Sequence, residues 1–288
     1  MTNVECRMQN AVLSHFQIRP ILQARKEGKR IVSASLDLGL TTSEVRLGEG
    51  GIELPDGQSL EWGALEEIVA DEVGCYAIAD GQAQKIQVYS EEFDRHYSLM
   101  PTGRAPTMLI SGLPMHRIKG IDPYEDTLRK IRAITPITGR VLDTATGLGY
   151  TAIEAAKIAE DVTTIEIDPA AQQIARLNPW SRALFDNPKI RQVIGDTFEA
   201  VQRFEDGSFS RIIHDPPTFS LAGELYSEEM YRRLFRILRR GGRLFHYIGN
   251  LDSPSGERVA KGAARRLQAS GFARVVHKPE AFGLVAHK

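Results

Sequence analysis

The segment from Arg140 to Thr151 constrains the fold of this chain more than any other stretch. Val141 and Leu142 are typical of the end of a buried strand, and an amphipathic helix is predicted to begin near Thr151. Between them lie one acid, Asp143, and a loop of small residues. A strand, a glycine-rich turn and a helix start place backbone N–H groups and the positive end of the helix against a bound cofactor. The segment therefore predicts a cofactor site.

The residues of this loop also indicate the kind of cofactor. Gly147 and Gly149 let the backbone approach a ligand closely, because neither has a Cβ atom. The carboxylate of Asp143 suits a cationic or hydroxyl-bearing ligand better than a pyrophosphate. The loop therefore favours S-adenosyl-L-methionine over a dinucleotide. An NAD-dependent oxidoreductase is a weaker alternative, because residues 147–152 also fit the pattern G-x-G-x-x-A.

Length and composition exclude several classes of protein. The 288 residues suffice for one large or two ordinary domains, and the apolar content of 42% is ordinary for a globular protein. The net charge of −1 gives no overall reason to expect nucleic acid or a membrane as partner. Cys6 and Cys75 lie far apart and fit no zinc spacing, so we predict reduced thiols and no metal site. The sequence shows neither a signal core nor an apolar run of the roughly 18 residues that span a bilayer, so we expect a cytoplasmic protein.

Two regions of different texture predict two domains, residues 1–112 and 113–288. The first has a predicted helix within about residues 8–28 and a short predicted helix at residues 64–70, among short strands and turns, and we interpret it as a smaller, mainly β accessory domain. Within it, residues 75–81 and 85–89 are predicted to form a hairpin. The second region alternates strands with helices, which predicts a parallel sheet with ligands at the carboxyl ends of its strands.

Acidic residues recur at those predicted strand ends. Glu166 and Asp168 lie about twenty residues beyond the glycine loop, where an acid can bind ribose hydroxyls. Ribose binding is favoured for Glu166, whereas a helix N-cap is favoured for Asp168 because Pro169 follows it. Asp196 follows the next strand, and it either contacts the adenine amine or caps the segment that begins at Thr197.

Together these features resemble the class I S-adenosylmethionine-dependent methyltransferases over residues 120–288, and several phrases resemble an archaeal-type group of predicted methyltransferases. Residues 143–149 match the family's acid-x-Gly-x-Gly-x-Gly loop, with Ala145 in place of the first glycine. The resemblance implies an α/β fold with a Rossmann-like seven-stranded sheet that ends in a C-terminal antiparallel hairpin. It also implies that the loop and its leading acid hold the methionine part of the cofactor. The cofactor-binding residues so predicted are Asp143, Ala145, Thr146, Gly147, Gly149, Tyr150, Thr151, Glu166, Ile167, Asp196 and Thr197.

The segment Asp215-Pro-Pro-Thr-Phe219 is the second informative motif. Its prolines fix φ and remove N–H donors, which predicts a stiff loop. It resembles the Asp/Asn-Pro-Pro-aromatic motif of enzymes that methylate exocyclic amines, with Thr218 inserted before the aromatic residue. We predict Asp215, Pro216, Pro217 and Phe219 as catalytic residues, with Asp215 orienting the nucleophile and accepting its proton in a direct methyl transfer. The alternative is a rigid turn with Phe219 in the core.

The acceptor and the exact transfer reaction stay open at this point. The expected acceptor is an amine or base nitrogen of RNA or of a small molecule, and a homo-oligomer is compatible with the sequence. A polyamine aminopropyltransferase is the main alternative, since that family shares the fold and residues 166–168 resemble it. Those enzymes usually have further acids and a different loop at the position of Asp215.

Six arginines within residues 232–243 could meet phosphates, but a role at helix carboxyl ends is favoured.

Overall fold

The computed structural model describes residues 11–217 and 222–288, which form two compact units. The first unit comprises residues 11–123 and 173–182, and the second comprises the rest. This division differs from the predicted boundary at residue 112. The strand Leu113–Pro114 pairs with the strand Thr107–Ile110, so the first unit continues beyond that point. In the same unit, the indole N–H of Trp180 donates to the carbonyl of Leu38 at 3.1 Å.

Within residues 11–123, the first unit contains three small antiparallel sheets and two complete helices. The sheets have the orders β1-β6-β7, β2-β3-β4-β5 and β11-β10-β9-β8. The helices are α1 (His15–Lys26) and α2 (Trp62–Ala70). The strands are β1 (Val12–Leu13), β2 (Ile31–Ala34), β3 (Ser43–Leu47), β4 (Gly51–Glu53), β5 (Ser59–Glu61), β6 (Tyr76–Ala79), β7 (Gln82–Lys85), β8 (Gln87–Ser90), β9 (Arg95–Met100), β10 (Thr107–Ile110) and β11 (Leu113–Pro114).

The predicted hairpin of residues 75–81 and 85–89 is wrong in its second strand. β6 pairs with β7, whereas β8 pairs with β9 in a different sheet. Ile86 separates β7 from β8: its N–H donates to the carbonyl of Cys75, and its carbonyl accepts from Leu99. Because the Ile86 side chain is buried, the chain changes sheet there rather than continuing one strand.

The second unit contains a mixed seven-stranded sheet with the order β14-β13-β12-β15-β16-β18-β17. The first five strands of that order are parallel, and β18 runs antiparallel to both of its neighbours, which gives the predicted terminal hairpin. The strands are β12 (Val141–Asp143), β13 (Val162–Glu166), β14 (Ile190–Ile194), β15 (Phe209–His214), β16 (Leu238–Tyr247), β17 (Arg274–Lys278) and β18 (Gly283–His287). The remaining helices of the chain are α3 (Pro123–Ile134), α4 (Tyr150–Ala156), α5 (Pro169–Leu177), α6 (Arg182–Asp186), α7 (Thr197–Ala200), α8 (Glu228–Ile237) and α9 (Pro254–Ala269). Residues 173–177 of α5 belong to the first unit.

One face of this sheet is held by a continuous apolar core. Leu142, Ile212 and Leu244 lie on three adjacent strands and pack in one cluster with Leu234 of α8 and Leu267 of α9. All five side chains are fully buried. Burying each such side chain stabilises the fold by about 1.5–3 kcal/mol. The central strands therefore have a fixed register, and the residues that follow them are held at one edge.

The start of α9 shows how local chemistry sets a helix boundary. The helix begins at Pro254. The hydroxyl of Ser253 accepts a hydrogen bond from the N–H of Gly256 at 3.0 Å, and proline fits the first helical position. A Cβ atom on Gly256 would lie 1.9 Å from the carbonyl oxygen of Asn250, so this turn requires glycine.

Two glycines of α9 give a matched test of this packing. We expect Gly256→Ala to lower the free energy of unfolding by about 1–3 kcal/mol, because the added methyl overlaps backbone atoms. Gly262→Ala should raise it by about 0.5–1 kcal/mol, since the nearest atom to the new Cβ is the mobile end of Arg266 at 3.3 Å. Urea denaturation of both variants checks this; equal effects would contradict the assigned helix start.

Candidate active site

The glycine loop lies between β12 and α4, and its backbone has the conformation that the sequence predicts. Gly147 and Gly149 have φ angles of 51° and 76°, in the left-handed region that favours glycine. A Cβ atom on Gly149 would lie 2.7 Å from the side chain of Leu184. Ala145, which replaces the first glycine of the motif, is not among the residues with positive φ. The alanine is therefore compatible with the loop.

Asp143 is the acid at the head of the loop, and it is completely buried. Its carboxylate accepts from the hydroxyl of Thr151 at 2.8 Å, and more weakly from the N–H of Ala145 at 3.5 Å. Burial raises the pKa of Asp143 to about 7, and the nearby carboxylate of Asp215 contributes in the same direction. A cation placed beside Asp143 would lower this pKa again, because it stabilises the ionised carboxylate.

The other loop residues are tied to the neighbouring strands. The hydroxyls of Thr146 and Thr164 lie 2.7 Å apart, and the hydroxyl of Thr197 donates to the carbonyl of Thr144 at 2.6 Å. Tyr150 begins α4 and is buried. These contacts make the predicted residues Thr146, Tyr150 and Thr197 part of the loop's support.

Glu166 ends β13 and contacts the glycine loop directly. Its carboxylate accepts from the N–H of Gly147 at 2.8 Å and from the N–H of Asp168 at 3.2 Å. Asp168 is buried, and its own carboxylate accepts from the N–H of Ala170 at 2.8 Å. Asp168 thus has the N-cap contact that was favoured for it, and Glu166 is the acid nearer the loop.

Two exposed apolar side chains lie beside Glu166. Ile167 follows it directly, and Ile194 is its partner in the register of β13 and β14; they are 43% and 47% exposed. Asp196 is also exposed, and it caps α7 by accepting from the N–H of Phe198 at 2.7 Å. This end of the sheet therefore offers an apolar surface next to acidic groups.

Asp215 follows β15 and is bound by a lysine that the sequence analysis did not identify. Lys130 of α3 places its ammonium 2.6 Å from Asp215 and 3.0 Å from Asp126. The same ammonium lies 4.6 Å from the centre of the Tyr247 ring. Asp126 and Lys130 are buried, whereas the Asp215 side chain is 22% exposed. The spacing of Asp126 and Lys130, four residues apart on a predicted helix, was the available signal.

The pKa values of this cluster reflect opposing causes. Burial raises the pKa of the Asp215 carboxyl, and the Lys130 ammonium opposes that shift. The two carboxylates raise the pKa of Lys130 above its ordinary value despite its burial. Lys130 is therefore a permanent cation at neutral pH, and Asp215 is the member of the cluster that is accessible.

His214 lies on the opposite face of the sheet from Asp215, as strand alternation predicts. Its Nε2–H donates to the carbonyl of Leu225 at 2.8 Å, so its Nδ1 accepts from the hydroxyl of Thr144, also at 2.8 Å. Burial lowers the pKa of His214 to about 4. The ring is neutral and joins the glycine loop to the residues that follow the Asp-Pro-Pro segment.

A second buried histidine reinforces this connection. His246 of β16 donates from Nδ1 to the carbonyl of His214 at 3.2 Å, and its Nε2 accepts from the phenol of Tyr231 at 2.8 Å. The phenol of Tyr226 donates to the carbonyl of Pro217 at 3.2 Å. Pro216 is buried and Pro217 exposed, while the predicted residue Phe219 lies outside the described residues.

Several arginines of residues 232–243 donate hydrogen bonds to main-chain carbonyls of the same unit. Arg233 and Arg236 donate to the carbonyls of Phe198 and Phe204 at 2.5 and 2.7 Å. Arg243 donates to the carbonyl of Thr135, just after α3, at 2.5 Å. The carbonyl of Thr135 follows the carboxyl end of α3, whereas Phe198 lies within α7.

Three other features bear on function, namely groups of metal-ligating side chains, membrane-spanning helices and cysteines. Within residues 11–217 and 222–288, no group of three or more His, Cys, Asp and Glu side chains is arranged to hold a metal ion. None of the helices described there has the length and apolar character required to cross a membrane. Cys75 is a buried free thiol, and Cys6 lies outside the described residues.

Comparison with known proteins agrees with this geometry. The family model of the methyltransferase small domain matches residues 126–252. The Methanocaldococcus jannaschii protein MJ1233 is 44% identical over 238 residues, which cover 82% of this chain and 81% of that protein. A polyamine aminopropyltransferase of Aeropyrum pernix is 28% identical over 176 residues, covering 59% of this chain and 46% of that enzyme. The crystal structure of spermidine synthase from Thermotoga maritima has a TM-score of 0.55 at 18% identity, covering 74% of this chain and 77% of that one.

Residues 126–252 match the methyltransferase small domain, and the sheet order and the glycine loop agree with that match. The chain belongs to the family that includes MJ1233. The likeness to spermidine synthase concerns the fold alone.

The neutral histidine gives a test based on pH. The pKa of His214 is lowered to about 4 in the folded protein, so the unfolded chain binds an extra proton between about pH 6.5 and 4. The contribution of neutral His214 to the free energy of unfolding is therefore complete above pH 6.5. It is lost as the pH falls, by about 1.4 kcal/mol per pH unit. Asp143, with its raised pKa, contributes with the opposite sign, so the comparison must be with a variant.

We therefore expect the free energy of unfolding of His214→Asn to fall less steeply with acid than that of the native protein. Urea denaturation at several pH values measures both slopes. His277→Asn, at an exposed position of β17, is the matched control and should keep the native slope. Identical slopes in all three proteins would show that His214 is not held neutral.

Proposed function

We propose that this protein transfers a methyl group from S-adenosyl-L-methionine to an amine or base nitrogen of RNA or of a small molecule. The observation that carries the proposal is the position of Asp143 and Asp215. Asp143 pairs in register with Ile213, and Asp215 lies two residues beyond on the same face. A cofactor acid and an acceptor acid thus lie at one edge of the sheet.

Several features fit this cofactor. The left-handed glycines permit close approach of the backbone, and Asp143 is a buried acid that a cationic ligand would stabilise in its ionised form. Glu166 is placed to accept from ribose hydroxyls, and exposed Ile167 gives a surface for a planar base. We infer that Ala145, Thr146, Gly147, Gly149, Tyr150, Thr151, Asp196 and Thr197 complete or support this site.

When bound, the cofactor supplies a methyl group on a sulfonium, which is already a strong electrophile. The protein must then orient the acceptor, exclude water and accept one proton. Asp215 is suited to accept the proton, because burial raises its pKa and leaves part of its carboxylate accessible. The buried Pro216 and the tether from Tyr226 to Pro217 restrict the backbone of this segment.

Aminopropyl transfer is the second candidate. It is favoured by the 28% identity with the Aeropyrum pernix polyamine aminopropyltransferase and by the adjacent acids Glu166 and Asp168. The two reactions need different donors. Calorimetric titrations with S-adenosylmethionine, decarboxylated S-adenosylmethionine and NAD distinguish them: tight binding of the first supports methyl transfer, whereas selective binding of either of the others contradicts it.

The role of Asp143 predicts a pH-dependent cofactor affinity. Below its pKa of about 7 the carboxyl is protonated in the free protein, and binding of a cation requires that it lose this proton. We expect the affinity for S-adenosylmethionine to weaken about tenfold for each pH unit below 7. Asp143→Asn should bind weakly and lack this component, while the ligand's own titration affects both proteins equally. Parallel pH profiles of the two proteins would exclude Asp143 from the cofactor site.

The role of Asp215 predicts a separate effect. Asp215→Asn should reduce kcat by about a hundredfold, because it removes the proton acceptor, while cofactor affinity stays nearly unchanged. The assay uses radiolabelled methyl groups with tRNA, rRNA and small amines as acceptors. Asp161→Asn, which removes only the partner of Arg140, is the control. A variant at position 215 as fast as the native enzyme would remove Asp215 from the mechanism.

A further inference from the structure

The cluster around Lys130 has the composition of an ammonium-binding site that is already filled. Its walls are the carboxylates of Asp126 and Asp215 and the ring of Tyr247, and its occupant is the protein's own ammonium. Carboxylates together with an aromatic face are a combination that binds ammonium groups from ligands. Here the side chain of α3 supplies that group, and only 3% of it is exposed.

The charges show what this arrangement leaves for an acceptor. Asp126 and Lys130 form a buried pair of opposite charges, and the same ammonium lies 2.6 Å from Asp215, so the Asp215 carboxylate already has a positive partner. Lys130 contacts Oδ2 of Asp215, and among the described residues no hydrogen bond to Oδ1 is found. A neutral N–H donor can bind that oxygen. A protonated amine would bring a second ammonium to a carboxylate that already holds one, and like charges so placed are strongly unfavourable.

We propose that Lys130 determines acceptor specificity: by filling the ammonium site beside Asp215, it selects a neutral nitrogen and rejects protonated aliphatic amines such as polyamines. This inference rests on the proposed function, since it assigns Asp215 to the acceptor. Lys130 acts through Asp215 and is a positioning residue. A neutral nitrogen also retains the lone pair that methyl transfer requires, whereas an alkylammonium has none.

The test uses putrescine as a cationic probe. Lys130→Met alone would remove the ammonium that lies 3.0 Å from the buried Asp126 carboxylate, so the informative protein is the double variant Asp126→Asn/Lys130→Met, which removes one charge of each sign. The control is Lys157→Met, which breaks a lysine–carboxylate pair with Glu154 on α4. Each protein is saturated with S-adenosylhomocysteine, and putrescine is titrated by calorimetry, with thermal denaturation to verify folding.

We expect the double variant to bind putrescine at least about tenfold more tightly than the native protein, because the ammonium of Lys130 no longer occupies the position between Asp215 and the Tyr247 ring. Lys157→Met should resemble the native protein. Equal affinity of the native protein and the double variant for putrescine would overturn the role of Lys130. If the double variant does not fold, Lys130→Arg provides the second test: it retains the charge and should still reject putrescine, and binding would overturn the inference.

Failure of the proposed function has a different signature. A native protein that binds neither S-adenosylmethionine nor S-adenosylhomocysteine would refute methyl transfer. Retained cofactor binding together with tight putrescine binding by the native protein would refute only the specificity inference.

Discussion

The pairing of β12 with β15 is the constraint on which the site depends. These two strands are parallel neighbours, with Asp143 opposite Ile213, so the loops that follow them leave the sheet at the same edge. One loop carries the predicted cofactor acid, and the other carries Asp215. Their register is held by side chains such as Leu142 and Ile212, which pack against α8 and α9. A displacement of either strand by one residue would turn its acid to the other face.

The buried histidines make this pairing specific beyond the apolar core. His214 accepts from Thr144 in the glycine loop and donates to Leu225 beyond the Asp-Pro-Pro segment. His246 holds the carbonyl of His214 from the next strand. Neutral rings with both nitrogens engaged add directional contacts that an apolar core lacks. The two loops are therefore connected from the face of the sheet opposite to the one on which Asp215 meets Lys130.

The sequence predicted the features that depend on local pattern, and it missed those that depend on contacts distant in the chain. The glycine loop, the alternation of strands and helices and the terminal hairpin each have a short-range signal. Lys130 contacts Asp215 across 85 residues, and nothing in their spacing indicates that contact. The histidine pair is equally non-local. A local pattern can also mislead. The residues on both sides of Ile86 have the pattern of one strand, but the chain passes from one sheet to another at this buried residue.

The two ends of the parallel strands differ in charge, and this difference bears on the function. Near the edge where the parallel strands begin, Arg211, Arg243, His287 and Arg274 form one row across four strands. Arg211 and Arg243 donate to carbonyls at the end of α3 and beyond it. At the opposite edge lie Asp143, Glu166, Asp196 and Asp215, and Lys130 is the cation paired with Asp215. With a net charge of only −1, the chain has little overall field to attract a ligand. In the proposed function, recognition of the cationic cofactor therefore depends on this local set of acids, and the proposed role of Lys130 is to limit how many further positive charges the same set accepts.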